Sequence, residues 1–357
     1  MKKMIMIWGM WLAVWGFLCG DTVLTGYPFI AYSSDTGVMG GAFAIWQKDQ
    51  GTPVAKVYPR KVSLLSNVLY SQKHQFAVFL IPEYSATNED WKYSSDLYLA
   101  DWPDDYYGTG NETNKDNVES YTARVFRIEN SYSHRIYRDL TGSITSNTGY
   151  HHLKKTVPNG YLEADPLLGK DQSVFSGIGV GLLLDTTDSN NYPTRGIKYS
   201  VNYTAFRSEL GSDYDYDMFR YDLRHYLPLT NKVVFATQSD LVINEGDVPF
   251  YNYMELGNRL RAYNSKRYVE KVRVAQRFEQ RVTPFEEGFL ERTGFVLFGE
   301  LGQVSPTVDK IRLTDWHWST GFGFRYAILT EDRLNLRMDF GFGEGAFNFI
   351  INAREVF

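Results

Sequence analysis

The chain has little of what a secreted disulfide scaffold or an enzyme would need. Its 357 residues include one cysteine, Cys19, so no disulfide framework can stabilise the fold. Six histidines are present, and we find no phosphate loop, dinucleotide fingerprint or serine-nucleophile motif. Basic residues number 37 against 42 acidic ones, with no concentrated basic stripe. We therefore expect no enzyme activity, no cofactor, no bound metal and no nucleic-acid partner.

Long apolar runs are missing after residue 20. The only such run, Met4–Leu18, follows Lys2 and Lys3 and precedes Cys19, as in a secretory signal peptide. It is shorter than the roughly twenty residues that span a bilayer. We predict a signal peptide over 1–20, with Cys19 removed by cleavage after Gly20, and a single domain over 21–357. Lipidation of Cys19 is the alternative, although a bulky Leu18 before it argues against this.

What the chain does have is aromatic residues and alternation. Aromatics make up 16%, with 26 Tyr and 23 Phe, as in barrels whose aromatic girdles lie at both membrane interfaces. The segments 197–207 and 333–342 alternate apolar with polar side chains, which is the period of a half-buried strand. A soluble sandwich alternates as well. If the domain lies in a membrane, a closed barrel is the only non-helical structure that satisfies its backbone there.

Links between the strand candidates suggest a barrel with two unlike ends. Short links are Ser71–Lys73 and Glu344–Gly345, and long polar links cover 102–120, 150–172 and 245–268. About fifteen strands are clear, and a further one starting near Tyr27 would give the even number that such barrels have. The prediction is an all-β transmembrane antiparallel barrel of about 16 strands, in which short and long links alternate between the ends.

Three stretches carry a family resemblance. The strand–turn–strand over 177–196, the segment 247–263 and the alternating C-terminal strand resemble those of the BamA/TamA outer-membrane protein family, also called bacterial surface antigens. The resemblance implies an outer-membrane location and assembly by the barrel-assembly machinery. It also implies a long sixth loop folded into the lumen, and insertion or translocation of proteins through the seam between the first and last strands.

The resemblance also identifies residues of the turn and of the C-terminus. The turn motif comprises Asp185, Asp188, Pro193 and Gly196, but Thr187 stands where the family has an arginine. The C-terminal assembly signal comprises Phe349, Ile351 and Phe357, and we expect an alternating strand that continues to Phe357 and ends there. Since we see no POTRA domain, we expect a separate periplasmic protein or client, besides outer-membrane lipid, as a partner.

A third set, the lumen latch, follows from the sixth loop. In the family the arginine at the loop tip is held in the lumen by acidic residues of two neighbouring strands, which here implies Arg261, Tyr263, Glu279 and Glu300. A guanidinium can hold two carboxylates with its forked donors. Glu300 replaces the family's Asp, and Ala262 replaces its Gly, which would strain a positive-φ backbone. The alternative is that these are ordinary lumen charges that neutralise one another.

Other functions remain open at the level of sequence. The family resemblance is also compatible with lipid-related transport across or into the outer membrane. A passive diffusion pore is one alternative, and it would favour anions if its lumen arginines are not neutralised. The lumen arginines are Arg273, Arg277, Arg281, Arg333, Arg337 and Arg354. A surface-exposed antigen or adhesin would act through the links 102–120 and 150–172.

Overall fold

A computed structural model describes residues 15–19, 22–49, 61–86, 90–284, 290–329, 333–353 and 355–357. The predicted signal peptide lies outside the described residues except for 15–19, so its cleavage stays a prediction. Arg354 also lies outside them. No described helix is both long and apolar enough to cross a membrane.

Nearly all of the regular structure is β-strand, as the alternation predicts. The strands are β1 (Trp15–Cys19), β2 (Thr22–Ser33), β3 (Gly37–Asp49), β4 (Lys61–Ser71), β5 (Phe76–Ser85), β6 (Trp91–Tyr106), β7 (Glu119–Tyr137), β8 (Leu140–Lys155), β9 (Gln172–Asp185), β10 (Gly196–Phe206), β11 (Tyr216–Thr230), β12 (Val233–Gly246), β13 (Met254–Glu255), β14 (Val269–Glu270), β15 (Val272–Val282), β16 (Thr293–Ser305), β17 (His317–Leu329), β18 (Leu334–Gly343) and β19 (Ala346–Ala353). The described loops contain one helical turn, α1 (Tyr161–Ala164), and four 3-10 turns, at Ser208–Leu210, Phe250–Asn252, Val308–Lys310 and Leu313–Asp315.

Sixteen of these strands form a closed antiparallel barrel, which confirms the predicted fold. β2 to β12 pair in chain order, β12 pairs with β15, and β15 to β19 continue in order. β19 returns to β2 and closes the barrel. β13 and β14 pair with each other inside the long link 247–271, and β1 lies along β2. The first barrel strand begins at Thr22, earlier than Tyr27, because β3 pairs with it from Thr22 onward.

The apolar sides of the strands face outward. In β16, Leu297 is 58% exposed, whereas the inward-facing Phe298 and Glu300 are almost completely buried. A soluble sandwich would bury its apolar face and expose its charges. The reversed arrangement is that of a barrel with a lipid-facing apolar band and a polar interior.

The two ends of the barrel differ, but not in the way the sequence predicted. At one end, here called the loop end, lie the links 34–36, 72–75, 107–118, 156–171, 207–215, 247–271, 306–316 and 344–345. The other end, the termini end, has two-residue links at 138–139 and 231–232 but also the longer turn 186–195. The short links 72–75 and 344–345 thus share an end with the three long ones, so the predicted alternation is wrong. Every second link of an antiparallel meander lies at the same end, whatever its length.

Candidate functional site

The long link between β12 and β15 packs against inward-facing side chains of the barrel wall. Leu256 and Leu260 are fully buried and cluster with Ala275 of β15 and Val304 of β16. Gly302 makes room for them, because a Cβ there would lie 2.6 Å from Leu256 Cδ1. Apolar packing therefore contributes to the position of the tip of the link.

At the tip, the guanidinium of Arg261 meets three carboxylates from three strands. Its Nε lies 2.7 Å from Glu300 Oε1, Nη2 lies 2.8 Å from Glu279 Oε1, and Nη1 lies 3.2 Å from Asp339 Oδ2. The backbone N–H of Arg261 also donates to Glu300, at 2.6 Å. The ring of Phe298 packs against the guanidinium, with its centre 3.5 Å from the Arg261 Cζ. Arg261 is 4% exposed.

The structure thus brings together the predicted latch residues and adds one that sequence reasoning missed. Asp339 of β18 shares the inner face with Arg337 and Asn335, so its direction was readable from alternation. What alternation did not reveal is that β18, two strands beyond Glu300 of β16, curves close enough to reach the same arginine. The role of this arrangement as a latch is still a prediction.

Two glycines of β18 let the backbone of the tip lie directly on the wall. A Cβ on Gly341 would lie 2.8 Å from the Arg261 carbonyl carbon, and one on Gly343 would lie 2.9 Å from Ala262 Cβ. Tyr263 fixes the tip further, since its hydroxyl donates to Trp318 O at 3.2 Å and accepts from the N–H of Glu344 at 3.0 Å.

Ala262 does not carry the strain that its replacement of a glycine suggested. The described non-glycine residues with positive φ are His74, Arg138, Asn159 and Arg333, and Ala262 is not among them. Its N–H donates to Ser319 Oγ at 3.1 Å. Because the backbone has negative φ here, an alanine adopts it without the cost that a left-handed position would impose.

Glu279 joins the loop tip to the termini end through Arg281. Glu279 Oε2 accepts from Arg281 Nε at 2.8 Å. Arg281 then donates to the carbonyl oxygens of Pro193, at 3.3 Å, and of Phe357, at 2.8 Å. Both Glu279 and Arg281 are completely buried. The loop tip, the turn motif and the C-terminus lie apart in the sequence, but all three contact Glu279 or Arg281, two neighbouring inward-facing residues of β15. The sequence analysis identified Arg281 only as a lumen charge.

The turn motif is organised by its two aspartates. Asp188 Oδ1 accepts from the N–H of Thr194 at 2.8 Å, and its Oδ2 accepts from Thr194 Oγ1 at 2.6 Å and Arg333 Nη1 at 2.7 Å. Burial acts to raise the pKa of the Asp188 carboxyl, but these donors outweigh it and hold the pKa well below its usual range.

The other members of the motif complete the turn. Asp185 accepts from Thr187, where the family has its arginine, and lies 2.7 Å from Lys198 Nζ. Gly196 has φ +102°, a conformation that side chains rarely adopt. In this turn motif the carboxylates of Asp185 and Asp188 therefore both accept hydrogen bonds from other groups of the protein.

The C-terminal residues depart from the predicted continuous strand. Phe349 and Ile351 lie on β19, where Ile351 pairs with Tyr32 of β2 and the Phe349 ring centre is 5.9 Å from that of Tyr32. β19 ends at Ala353, however, and Phe357 is 5% exposed inside the termini end. Arg281 and a cluster with Tyr226 hold it there. The expectation of an alternating strand closed by Phe357 is wrong; an assembly role for these residues stays a prediction.

Glu355 anchors the same C-terminal segment from the other side. Its carboxylate lies 2.7 Å from Arg325 Nε and accepts from Asn335 Nδ2 at 3.1 Å. Arg325 in turn lies 2.6 Å from Asp339. The segment 355–357 is therefore part of the same charged network as Arg261.

A polar cavity of about 870 Å³ opens at the termini end. Its lining comes from β3 to β10 and the turn motif and includes Glu83, Lys92, Asp185, Asp188 and Lys198. Lys92 pairs with Glu83 at 2.6 Å and Lys198 with Asp185 at 2.7 Å. The cavity wall is therefore hydrophilic, with both signs of charge.

A closed sixteen-stranded barrel with an apolar exterior and a charged, internally bonded lumen defines a β-barrel membrane protein. The chain belongs to the Omp85 superfamily, whose domain model matches residues 63–342; barrels of this family are outer-membrane proteins. No curated protein matches the chain.

Solved structures of other family barrels share the fold. BamA from Haemophilus ducreyi lacking POTRA domains 1–3 superposes with a TM-score of 0.65 at 14% identity, over 94% of this chain and 70% of that one. CdiB from Acinetobacter baumannii gives 0.59 at 11%, over 93% and 60%. CdiB from Escherichia coli gives 0.59 at 11%, over 92% and 62%. At such low identity the likeness shows the architecture alone.

Proposed function

We propose that the protein inserts polypeptides into the outer membrane, or moves them across it, through the seam between β2 and β19, without enzymatic chemistry. Membership of the Omp85 superfamily and the likeness to BamA and CdiB support a role of this class. The observation that carries the proposal is the weakness of the seam.

The seam has one pair of residues in register, Tyr32 and Ile351. On either side of it, β2 pairs with β3 along its whole length and β19 pairs with β18 along its whole length. β19 is short at the seam because the segment 355–357 turns into the lumen. Unpaired N–H and C=O groups at a strand edge are a template for another chain. The edge of β2 is therefore suited to receive a client strand.

The described strand β1 occupies part of that edge. Trp15–Cys19 pairs with Thr22–Gly26 of β2. If the predicted signal peptide is cleaved after Gly20, this strand leaves and the edge of β2 is free along that stretch. Export would then itself open the site.

The wall of the barrel is also short on the β19 side of the seam. β19 has 8 residues and β18 has 10, whereas β7, the longest strand described, has 19. At about 3.3 Å per residue these lengths are about 26, 33 and 63 Å along the strands. A bilayer beside a short wall must thin, at a cost of fractions of a kcal/mol per Å. Such thinning would lower the barrier to entry of a new strand.

A covalent lock across the seam tests the proposal. The variant Tyr32→Cys/Ile351→Cys, in a Cys19→Ser background, would be reconstituted in vesicles with a urea-unfolded eight-stranded outer-membrane barrel as client. We expect the reduced protein to accelerate client insertion and the oxidised protein to lose that acceleration. The matched control is Met338→Cys/Ile351→Cys, which cross-links register partners of β18 and β19 without crossing the seam. Equal acceleration by the oxidised seam-locked protein and the oxidised control would refute the proposal.

The buried lumen arginines give the pore alternative little support. Arg273, Arg281 and Arg337 are bonded to Asp240, Glu279 and Asp339. Arg277 is buried against Gln238. These side chains are committed to the wall and present little free charge to a passing anion. The antigen alternative stays a prediction, and the links it invokes lie together at the loop end.

A further inference from the structure

The link 306–316 lies over the outer side of β16 near the loop end. Gln303 of β16 points to the same side as the lipid-facing Leu301, yet it is completely buried. Its side chain donates to Arg312 O at 2.9 Å and accepts from Arg312 N–H at 3.1 Å. Ser305, on the same outward side, donates to Thr307 O at 2.7 Å. The backbone of the link is therefore fixed against the outside of the wall.

This fold leaves an apolar side chain with nothing to cover it. Leu313 follows Arg312 directly and is 92% exposed, the highest value among the large hydrophobic residues that the structure describes. Val308, in the preceding 3-10 turn, is 49% exposed. Two hydrogen bonds fix the adjacent Arg312 backbone. Leu313 is therefore exposed at a fixed position of the link.

The position of Leu313 is continuous with the lipid-facing band. Leu301 pairs with Trp318 of β17, and both side chains are outward and exposed. Trp318 begins an outward row that continues with Phe322, Phe324 and Tyr326. Gln303 lies two residues beyond Leu301, which is about 7 Å along the strand. Tryptophan is enriched where a membrane meets water. The link therefore holds Leu313 at the outer edge of the apolar band.

We propose that the link 306–316 is an interfacial anchor that inserts Leu313, with Val308 beside it, into the edge of the bilayer next to Trp318. The occupant of this surface is lipid. The charges of the link cancel, with Asp309 and Asp315 against Lys310 and Arg312, so anchoring requires no anionic headgroup. The anchor does not depend on the proposed transport function and would serve a pore equally well.

A site-directed fluorophore tests the anchor, since no cysteine follows Cys19. Leu313→Cys, in the Cys19→Ser background, would carry an environment-sensitive dye in phosphatidylcholine vesicles with or without lipids nitroxide-labelled near the headgroup. We expect blue-shifted emission that the labelled lipids quench. The matched control is Tyr161→Cys, because Tyr161 is 59% exposed in the link 156–171 at the same end; its dye should stay unquenched.

A second variant tests whether the quenching depends on the position of the link while the barrel stays folded. Gln303→Ala removes both bonds to Arg312, so it should reduce quenching at position 313 while the barrel stays heat-modifiable. Replacing part of the lipid by phosphatidylglycerol should leave the quenching unchanged. Equal quenching at 313 and 161 would overturn the anchor. So would a blue-shifted dye at 313 that labelled lipids do not quench, since a protein or a second copy would then cover the surface.

Discussion

Replacing Arg261 by alanine should weaken the barrel far more than replacing the neighbouring Arg259. The substitution leaves Glu279, Glu300 and Asp339 in place but removes the one cation that contacts all three. These carboxylates are at most 2% exposed. They retain Arg281, Arg325 and Arg337 nearby, but Glu300 keeps no described ion-pair partner within 4 Å.

The magnitude follows from this geometry. Breaking a buried ion pair by removing one partner costs about 3–5 kcal/mol, because a charge is left without compensation. We expect the upper part of that range, since Glu300 also loses the backbone donor if the tip moves away. Arg261→Lys keeps a positive charge but not the planar fork, so its stability should lie between those of the wild type and Arg261→Ala.

The loss of stability is measured by urea unfolding in detergent, with the folded fraction read from the heat-modifiable shift on a gel. Protease digestion of intact vesicles should show earlier cleavage in the link 247–271. The control is Arg259→Ala: Arg259 lies two residues away, is partly exposed and pairs with Asp240 at 3.2 Å, which predicts a loss below about 1 kcal/mol. If Arg261→Ala and Arg259→Ala have the same midpoint and the same protease pattern, the three-carboxylate site has no latch function.

Three further changes test the surrounding contacts. Gly341→Val should displace the loop tip and reproduce the Arg261→Ala protease pattern, whereas Gly299→Ala, whose Cβ would meet nothing within 4 Å, should not; an unaltered pattern in Gly341→Val would contradict the close approach. The low pKa of Asp188 means that its contribution to stability is present above the ordinary carboxyl range and is lost as the pH falls through that range and below. Urea midpoints at pH 7 and pH 3 should therefore differ less in Asp188→Asn than in the wild type, and an equal difference would contradict this reasoning. Phe357→Ala should loosen the segment 355–357 and raise its cleavage by carboxypeptidase, and unchanged resistance would show that Arg281 and Glu355 suffice.

Much of the fold was readable from local pattern. Alternation identifies the strands and their inner and outer faces because the side-chain period of a strand is two residues, whatever lies beside it. The same period puts Glu279 of β15 and Glu300 of β16 on the inner faces of their strands. The turn at Asp188 came from the family resemblance, and its hydrogen bonds are local, since the donors lie within seven residues along the chain, apart from Arg333.

The tertiary structure alone decided what meets across the barrel. That Asp339 joins the site, that Gly341 lies under the loop tip and that Phe357 turns inward to Arg281 all depend on strand curvature and closure. The same holds for Leu313, whose exposure depends on how its link folds over Gln303. A sequence specifies the direction of a side chain through its neighbours on one strand, but the distance between strands that are far apart in the chain is set only when the sheet has twisted and closed.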